Sequence, residues 1–292
     1  MRVTVTANRA MTLMLAVIAA ALAVAVLLLT SRQPDPEIAR LQSELERMRA
    51  EHRLSPLLLS RYRESICFVH GTYSYLAASG KRTRVRFSGT GFAVRARALA
   101  TNRHIIEPWH ESDADGMMPS GTGHRRESLV AYCPGRTEAL QLNIAAVSAS
   151  ADVALLTYEG EPLRVLPLAS QPPQPGEPVV VVGYPMGMAG MVAKSPSQVF
   201  RRLAHRERDQ QTAKQLAELR LIRPSATHGH LGDVVGDKLV YDAATAPGGS
   251  GGPVFNHRGE VIAINAAYLE GFAGGTLGIS VDALRPLLTP TP

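Results

Sequence analysis

The sequence predicts an all-β body of two lobes behind a helical amino-terminal segment. Three observations carry that expectation. From about residue 61 onward, short apolar or alternating runs follow one another, set off by Gly and Pro. Of the 292 residues, roughly 230 belong to this body, ample for two lobes with buried cores. Pro172-Pro173-Gln174-Pro175-Gly176 interrupts the runs near their middle, as a connection between lobes would.

Residues 10–29 (AMTLMLAVIAAALAVAVLLL) are apolar except for Thr12 and lie between Arg9 and Arg32. Twenty helical residues at ~1.5 Å each span ~30 Å, the hydrocarbon thickness of a bilayer. The exit, Leu29-Thr30-Ser31-Arg32-Gln33-Pro34, is a poor signal-peptidase site. The run therefore reads as an uncleaved transmembrane signal anchor over 10–30, behind a tail of residues 1–9, with the lipid bilayer as partner through residues 10–29. Arginines stand on both sides (Arg2 and Arg9 before; Arg32, Arg40, Arg47 and Arg49 after), so they do not orient it. A short tail inside and a large domain outside is the expected arrangement of such a single-pass protein. It places the body on the extracytoplasmic side, periplasmic or extracellular.

Residues 31–60 form a stalk or linker. Pro34 and Pro36 separate the span from residues 37–54 (EIARLQSELERMRAEHRL), where Ile38, Leu41, Leu45 and Met48 recur at 3-4-3 spacing. His52 breaks the next seam position. The stretch reads as a solvated spacer helix; a short coiled coil joining copies into a homo-oligomer is the other reading.

The body follows over 61–288, with its first lobe at about 61–170 and its second at about 176–288. Expected strands are Ile66 to His70, Val85 to Ser88, Gly91 to Val94, Leu129 to Cys133, Ala154 to Tyr158 and Val179 to Val182. Leu239 to Asp242, Val254 to Asn256 and Val261 to Ala267 complete them. Cys67 and Cys133 fall in strand-like runs; they form one disulfide outside the cytosol or remain two buried thiols. Residues 111–127 lack a period and read as a loop. Residues 200–223 (FRRLAHRERDQQTAKQLAELRLIR) are polar and helix-prone with a thin apolar stripe, which reads as a solvated excursion, with a regulatory lid as the alternative.

The net charge of +6 and a pI of about 9.6 suit an anionic lipid surface. The arginines are scattered without interleaved aromatics, so nucleic acid is not an expected partner. His228-Gly229-His230 lacks further ligands at suitable spacing, so no metal is expected.

The chemistry concentrates in Pro247-Gly248-Gly249-Ser250-Gly251-Gly252-Pro253-Val254. So much glycine removes side chains from a turn and lets backbone N–H groups gather around one exposed hydroxyl. Acyl transfer needs such a site: a nucleophilic oxygen beside donors for a developing oxyanion. Upstream stand Ser88-Gly89-Thr90-Gly91-Phe92, Thr101-Asn102-Arg103-His104-Ile105 and Asp152-Val153-Ala154-Leu155-Leu156. Ser250 also fits the Gly-x-Ser-x-Gly elbow of α/β-hydrolases, but that fold places its acid and histidine after the serine, and only 42 residues follow Ser250.

With GTGF, TNRHI, DVALL and GGSGGP in this order, residues 61–288 resemble the trypsin-like (chymotrypsin-fold) serine proteases, HtrA/Deg branch. The spacings are 48 residues from His104 to Asp152 and 98 from Asp152 to Ser250. Val179 to Gly187 and Tyr241-Asp242-Ala243-Ala244 echo two further family segments. The resemblance implies two six-stranded antiparallel β-barrels behind the transmembrane helix and stalk, with His104 and Asp152 from the first barrel and Ser250 from the second. It implies a Ser250–His104–Asp152 triad, an oxyanion hole from the amides of Gly248 and Ser250, and no cofactor. The floor of the first specificity pocket would be Ala244 and its walls Asn265, Ala266 and Ala267 with Gly278, Ile279 and Ser280. None is charged, which implies a small or medium apolar residue before the scissile bond. The branch usually has Asn where this chain has Gly249, so the oxyanion loop is expected to be looser and to rest in an inactive shape. No PDZ domain is expected after the second barrel. The function implied is a membrane-anchored endopeptidase acting on unfolded or exposed protein segments; the rival is a catalytically quiet scaffold of the same fold.

Overall fold

A computed structural model describes residues 3–30, 36–77, 79–109, 122–268 and 275–289; side chains 3–10, 28–30, 47, 49–53, 267 and 268 are outside the description. The chain divides into two units, residues 1–52 and 53–292.

The first unit holds helix α1 (Val3–Thr30) and most of α2 (Pro36–Tyr62). The described side chains of α1, residues 11–27, are all exposed. Among the described residues no helix is long and apolar enough to cross a membrane; the apolar run 10–29 extends past those side chains at both ends. On α2 the expected seam residues Ile38, Leu41, Leu45 and Met48 are exposed.

The second unit contains two closed six-stranded antiparallel barrels. The first is built from β1 (Ile66–Leu76), β2 (Arg82–Arg95), β3 (Ala98–Thr101), β4 (Thr122–Tyr132), β5 (Leu140–Val147) and β6 (Ala154–Tyr158), with a one-turn helix α3 (Arg103–Ile106) after β3. Its strand order is β1-β2-β3-β6-β5-β4. β2 merges two runs expected as separate strands, because Phe92 pairs with Ile66 and Arg82 with Leu76 in one continuous ladder. β4 begins at Thr122, inside the expected loop 111–127; residues 110–121 lie outside the described residues. Cys67 and Cys133 meet across β1 and the end of β4, bonded at 2.04 Å and fully buried.

The second barrel follows β7 (Pro178–Gly183) with an excursion of three short helices, α4 (Gly187–Ala193), α5 (Ser197–Leu203) and α6 (Gln210–Glu218). It closes with β8 (Ser225–Val235), β9 (Lys238–Tyr241), β10 (Pro253–Phe255), β11 (Val261–Tyr268) and β12 (Thr276–Ser280), in the order β10-β11-β12-β9-β8-β7. A last turn, α7 (Arg285–Leu288), ends the described body. The four consecutive valines of β7 are buried because both faces are covered. Val179 and Val181 fill the second barrel, while Val180 and Val182 join the larger cluster that contains the first barrel's core. The last turns of α2 pack on the same cluster through Leu58 and Tyr62, and Tyr62 stacks on Phe255 with ring centroids 6.0 Å apart.

The excursion is not solvated. Leu203, Ala213 and Leu216 are fully buried in the larger cluster, and each buried leucine is worth ~1.5–3 kcal/mol. Its thin apolar stripe suffices because the partner surface is the first barrel. The Tyr132 hydroxyl on β4 donates to Gln210 O at 3.1 Å, and Arg86 on β2 pairs with Glu207 at 3.1 Å. Both helix ends are capped: Arg208 donates to the carbonyls of Leu203 and Ala204, and Asp209 accepts from Thr212 N at 2.9 Å.

Candidate active site

His104 sits on α3, directly after strand β3, and Asp152 in the turn before β6. The Asn102 side chain donates to Asp152 O at 2.8 Å, and Arg103 donates to Ser148 O at 3.1 Å, so the segment before α3 is tied to the turn that carries the acid. The Tyr73 hydroxyl, inside the barrel, donates to Ile105 O at 2.8 Å and holds α3 from below. On this frame Asp152 grips His104 twice: Oδ1 accepts the His104 backbone N–H at 2.9 Å, and Oδ2 lies 2.7 Å from Nδ1. Burial alone would raise the Asp152 pKa. The hydrogen bonds and charge of His104, with the amides of His104 and Arg103, outweigh it and hold the carboxyl below the usual carboxylate range. An ionised acid at Nδ1 fixes the imidazole orientation and leaves Nε2 to exchange protons.

Ser250 belongs to the loop between β9 and β10. Gly248 and Gly251 have φ of 96° and 83°, so glycine is required at both. Pro247 O accepts the Met186 N–H at 2.7 Å. In a trans peptide the N–H opposes the C=O, so this bond turns the Gly248 N–H away from Met186. Among the described residues, neither Gly248 N nor Ser250 N donates to a protein acceptor, which leaves two amides beside the serine for an external oxygen. The Ser250 hydroxyl donates to Ala266 O at 2.7 Å.

Gly249, where a looser loop was expected, sits in a filled site. It is buried, its N–H donates to Ala246 O at 2.9 Å, and a Cβ there would meet Thr245 Oγ1 at 2.5 Å. Thr245 occupies the space that a side chain at position 249 would need. Asn265 is buried and committed inward: it accepts from the Tyr241 hydroxyl at 2.7 Å and donates to Thr245 Oγ1 at 3.1 Å. It braces the serine loop, while its own carbonyl accepts the Gly251 N–H at 2.7 Å. Ala266 is buried and offers its carbonyl. Ala244 is exposed, and its carbonyl accepts from Thr227 Oγ1 at 2.7 Å. The Ala267 backbone pairs with Leu277, and its side chain is outside the description. Gly278 and Ile279 lie on β12 opposite Asn265 and Ile264.

A family model for the trypsin-like peptidase domain matches residues 89–264. The chain belongs to the trypsin-like peptidases. Among curated relatives, a probable periplasmic serine endoprotease, DegP-like, of Pseudomonas putida (strain GB-1) is 27% identical over 199 residues, 66% of this chain and 32% of that protein. The putative serine protease HhoA of Synechocystis sp. (strain ATCC 27184 / PCC 6803 / Kazusa) is 26% identical over 211 residues, 71% of this chain and 43% of that one. The aligned part thus spans about a third to under half of these relatives' length. Two solved structures share the fold. The Rv3671c protease of M. tuberculosis in its active form has a TM-score of 0.52 at 17% identity, covering 79% of this chain and 82% of that one. A serine endoprotease of Yersinia pestis has 0.51 at 17%, covering 79% and 64%.

Sequence reasoning missed several residues that build this trypsin-like site. Asn102 and Thr90 stand inside the quoted motifs, yet only the fold reveals their bonds. Tyr241 stands in a quoted segment too, while Tyr73 and Thr245 lie outside every motif; each of the three acts through a partner 20 to 32 positions away.

Proposed function

We propose that this chain is a membrane-anchored, HtrA-like serine endopeptidase that hydrolyses peptide bonds of unfolded or exposed protein segments. The observation that carries the reading is the half-buried His104–Asp152 pair, matched by two unclaimed amides beside Ser250. Ser250 Oγ attacks the scissile carbonyl carbon as His104 Nε2 takes its proton. Asp152 stabilises the imidazolium, and the Gly248 and Ser250 amides hold the oxyanion, each such donor being worth ~3–4 kcal/mol. His104 then protonates the leaving amine, and water hydrolyses the acyl-serine by the same steps reversed. To begin, Ser250 exchanges its bond to Ala266 O for one to Nε2, a trade of one neutral hydrogen bond for another, ~1 kcal/mol. Ala244, Ala266 and Gly278 carry no charge themselves, which supports a small or medium apolar residue before the cut. A buried basic residue would lack a partner there.

Anchoring is supported by the twenty-residue apolar run and by the exposure of the described α1 side chains. The body then lies outside the cytosol, in keeping with relatives named as periplasmic and with the Cys67–Cys133 bond. The exposed Ile38, Leu41, Leu45 and Met48 stripe supports pairing of copies through α2. The alternative, a catalytically quiet scaffold, is favoured by one observation: the Ser250 hydroxyl is bonded to Ala266 O rather than to His104. Casein hydrolysis by the full chain in detergent micelles, against Ser250→Ala, decides between them. The enzyme reading expects turnover that the variant abolishes, together with stoichiometric fluorophosphonate labelling of Ser250; equal background in both proteins establishes the scaffold.

A further inference from the structure

Thr90 is the x of the Gly-Thr-Gly-Phe motif, on β2 of the first barrel, yet every polar group it owns is spent next to the serine loop. It is fully buried. Its N–H donates to Ser250 O at 2.7 Å. Its hydroxyl donates to Gly248 O at 2.9 Å and accepts the Tyr184 N–H at 3.1 Å. Its carbonyl accepts from Thr101 Oγ1 at 2.8 Å. A hydroxyl has one proton, and here it is committed to Gly248, so the direction of both side-chain bonds is fixed.

These bonds bracket the two candidate oxyanion donors. The Gly248–Gly249 peptide is held by its carbonyl through Thr90 Oγ1, and the Ser250–Gly251 peptide by its carbonyl through Thr90 N. The preceding Pro247–Gly248 peptide is held by Met186 N–H. That residue lies two positions beyond Tyr184, whose own amide ends on Thr90 Oγ1. Met186 has φ of 62°, a left-handed conformation that a non-glycine residue keeps only when its surroundings enforce it. The fit around Thr90 is tight. A Cβ at Gly183 would lie 2.9 Å from its Oγ1, and one at Gly251 would lie on its carbonyl oxygen.

We propose that Thr90 is a positioning residue for catalysis: its side-chain hydroxyl, delivered from the first barrel, sets the orientation of the oxyanion donors Gly248 and Ser250 in the second. The proposal rests on the endopeptidase reading for its kinetic consequence, but not for its structural one. A hydroxyl serving only as core packing would be replaceable by a methyl group. One that orients the loop is not, because Val leaves Gly248 O and Tyr184 N unpaired and frees the 247–250 backbone to turn.

The test uses the full chain in detergent micelles as wild type, Thr90→Val, Thr90→Ser, Thr90→Ala and Ser250→Ala. Two readouts are taken: kcat and KM on a fluorogenic peptide with alanine before the cut, and amide hydrogen exchange across residues 245–252. Removing one oxyanion donor from a protease typically costs about 100- to 1,000-fold in kcat. Misorienting donors by loss of the Thr90 hydroxyl is expected to lower kcat about 100-fold in Thr90→Val, with KM within about threefold. Thr90→Ser restores kcat to within about fivefold, and exchange across 245–252 rises in Val but not in Ser. Thr90→Ala takes the place of Val if the larger side chain prevents folding. Valine or alanine variants with near wild-type kcat and unchanged exchange overturn the proposal, as does an equal fall in Ser and Val. A wild type no more active than Ser250→Ala sinks the endopeptidase reading alone; the exchange pattern then still decides whether Thr90 orders the loop.

Discussion

His70 makes the stability of this fold sensitive to acid. It lies on β1 between Ser88 of β2 and Val130 of β4, is 1% exposed, and among the described residues neither ring nitrogen has a protein partner. Burial lowers its pKa from 6.5 to about 4, aided by the Arg86 charge and opposed by Asp209. The unfolded chain therefore takes up a proton near pH 6.5, while the folded chain refuses it until about pH 4. Between those values the unfolded state binds more protons, so stability falls as pH falls. At ~1.4 kcal/mol per pH unit, the full interval is worth about 3 kcal/mol. The perturbation is His70→Leu, of similar size and unable to titrate. Urea unfolding, read by the single tryptophan, Trp109, which stacks on His124 at 5.5 Å, gives stability at pH 7.5 and at pH 4.5. The wild type is expected to lose about 2–3 kcal/mol more than the variant between those pH values. Both proteins carry every other titrating group, so the difference isolates His70. Parallel curves, differing by a constant across the range, would refute the reasoning and mean that the ring is solvated or partnered in solution.

Three other outcomes follow from the packing. Breaking the Cys67–Cys133 bond with paired serines reopens a 66-residue loop in the unfolded chain, which by chain entropy costs about 4 kcal/mol, measured as a lower urea midpoint. Gly249→Asn, the residue usual in the HtrA branch, drives a Cβ against Thr245 Oγ1 and is expected to reduce both melting temperature and fluorophosphonate labelling rate. Adding Thr245→Ala should recover both, and no recovery would mean that the loop rejects Asn for another reason. Leu216→Ala empties a fully buried site beneath α6 and should cost ~2–5 kcal/mol; a loss under about 0.5 kcal/mol would restore the view that the excursion is solvated.

The barrels were legible because their strands carry the pattern themselves: runs such as Ala154 to Tyr158 and Val261 to Ala267 announce their length and burial. The pairing of His104 with Asp152 was within reach for the same reason, as each stands in a compact motif. What escaped was set by contacts between distant segments. The stripe of Leu203, Ala213 and Leu216 is too thin to signal burial until the first barrel supplies a second surface. The bonds that hold the Asn265 side chain, to Tyr241 and Thr245, also come from segments 24 and 20 positions away. At Gly249 the sequence reports the missing side chain and not the Thr245 hydroxyl that stands in its place. Likewise the pairing of Cys67 with Cys133 needs the β1–β4 register, in which Phe68 faces Tyr132.

The two lobes differ in how their contributions are held, and that difference locates where control can act. The His104–Asp152 pair is fixed within the first barrel by local bonds from Asn102, Arg103 and Tyr73, so it persists while that barrel stays folded. The serine loop depends on both lobes. Its glycines bring no side chains of their own, and its peptide carbonyls are held by Thr90 from the first barrel and by Met186 from the turn that opens the α4–α6 excursion. The excursion itself rests on the first barrel mainly through buried Leu203, Ala213 and Leu216. The exposed Lys214–Glu138 pair adds little, since such surface pairs are worth at most ~1 kcal/mol. A small shift between the barrels is therefore expected to leave the histidine and its acid intact while displacing Thr90, the Met186 turn and the proposed oxyanion donors together. On the proposed mechanism, activity in such a molecule would be lost first at the serine loop.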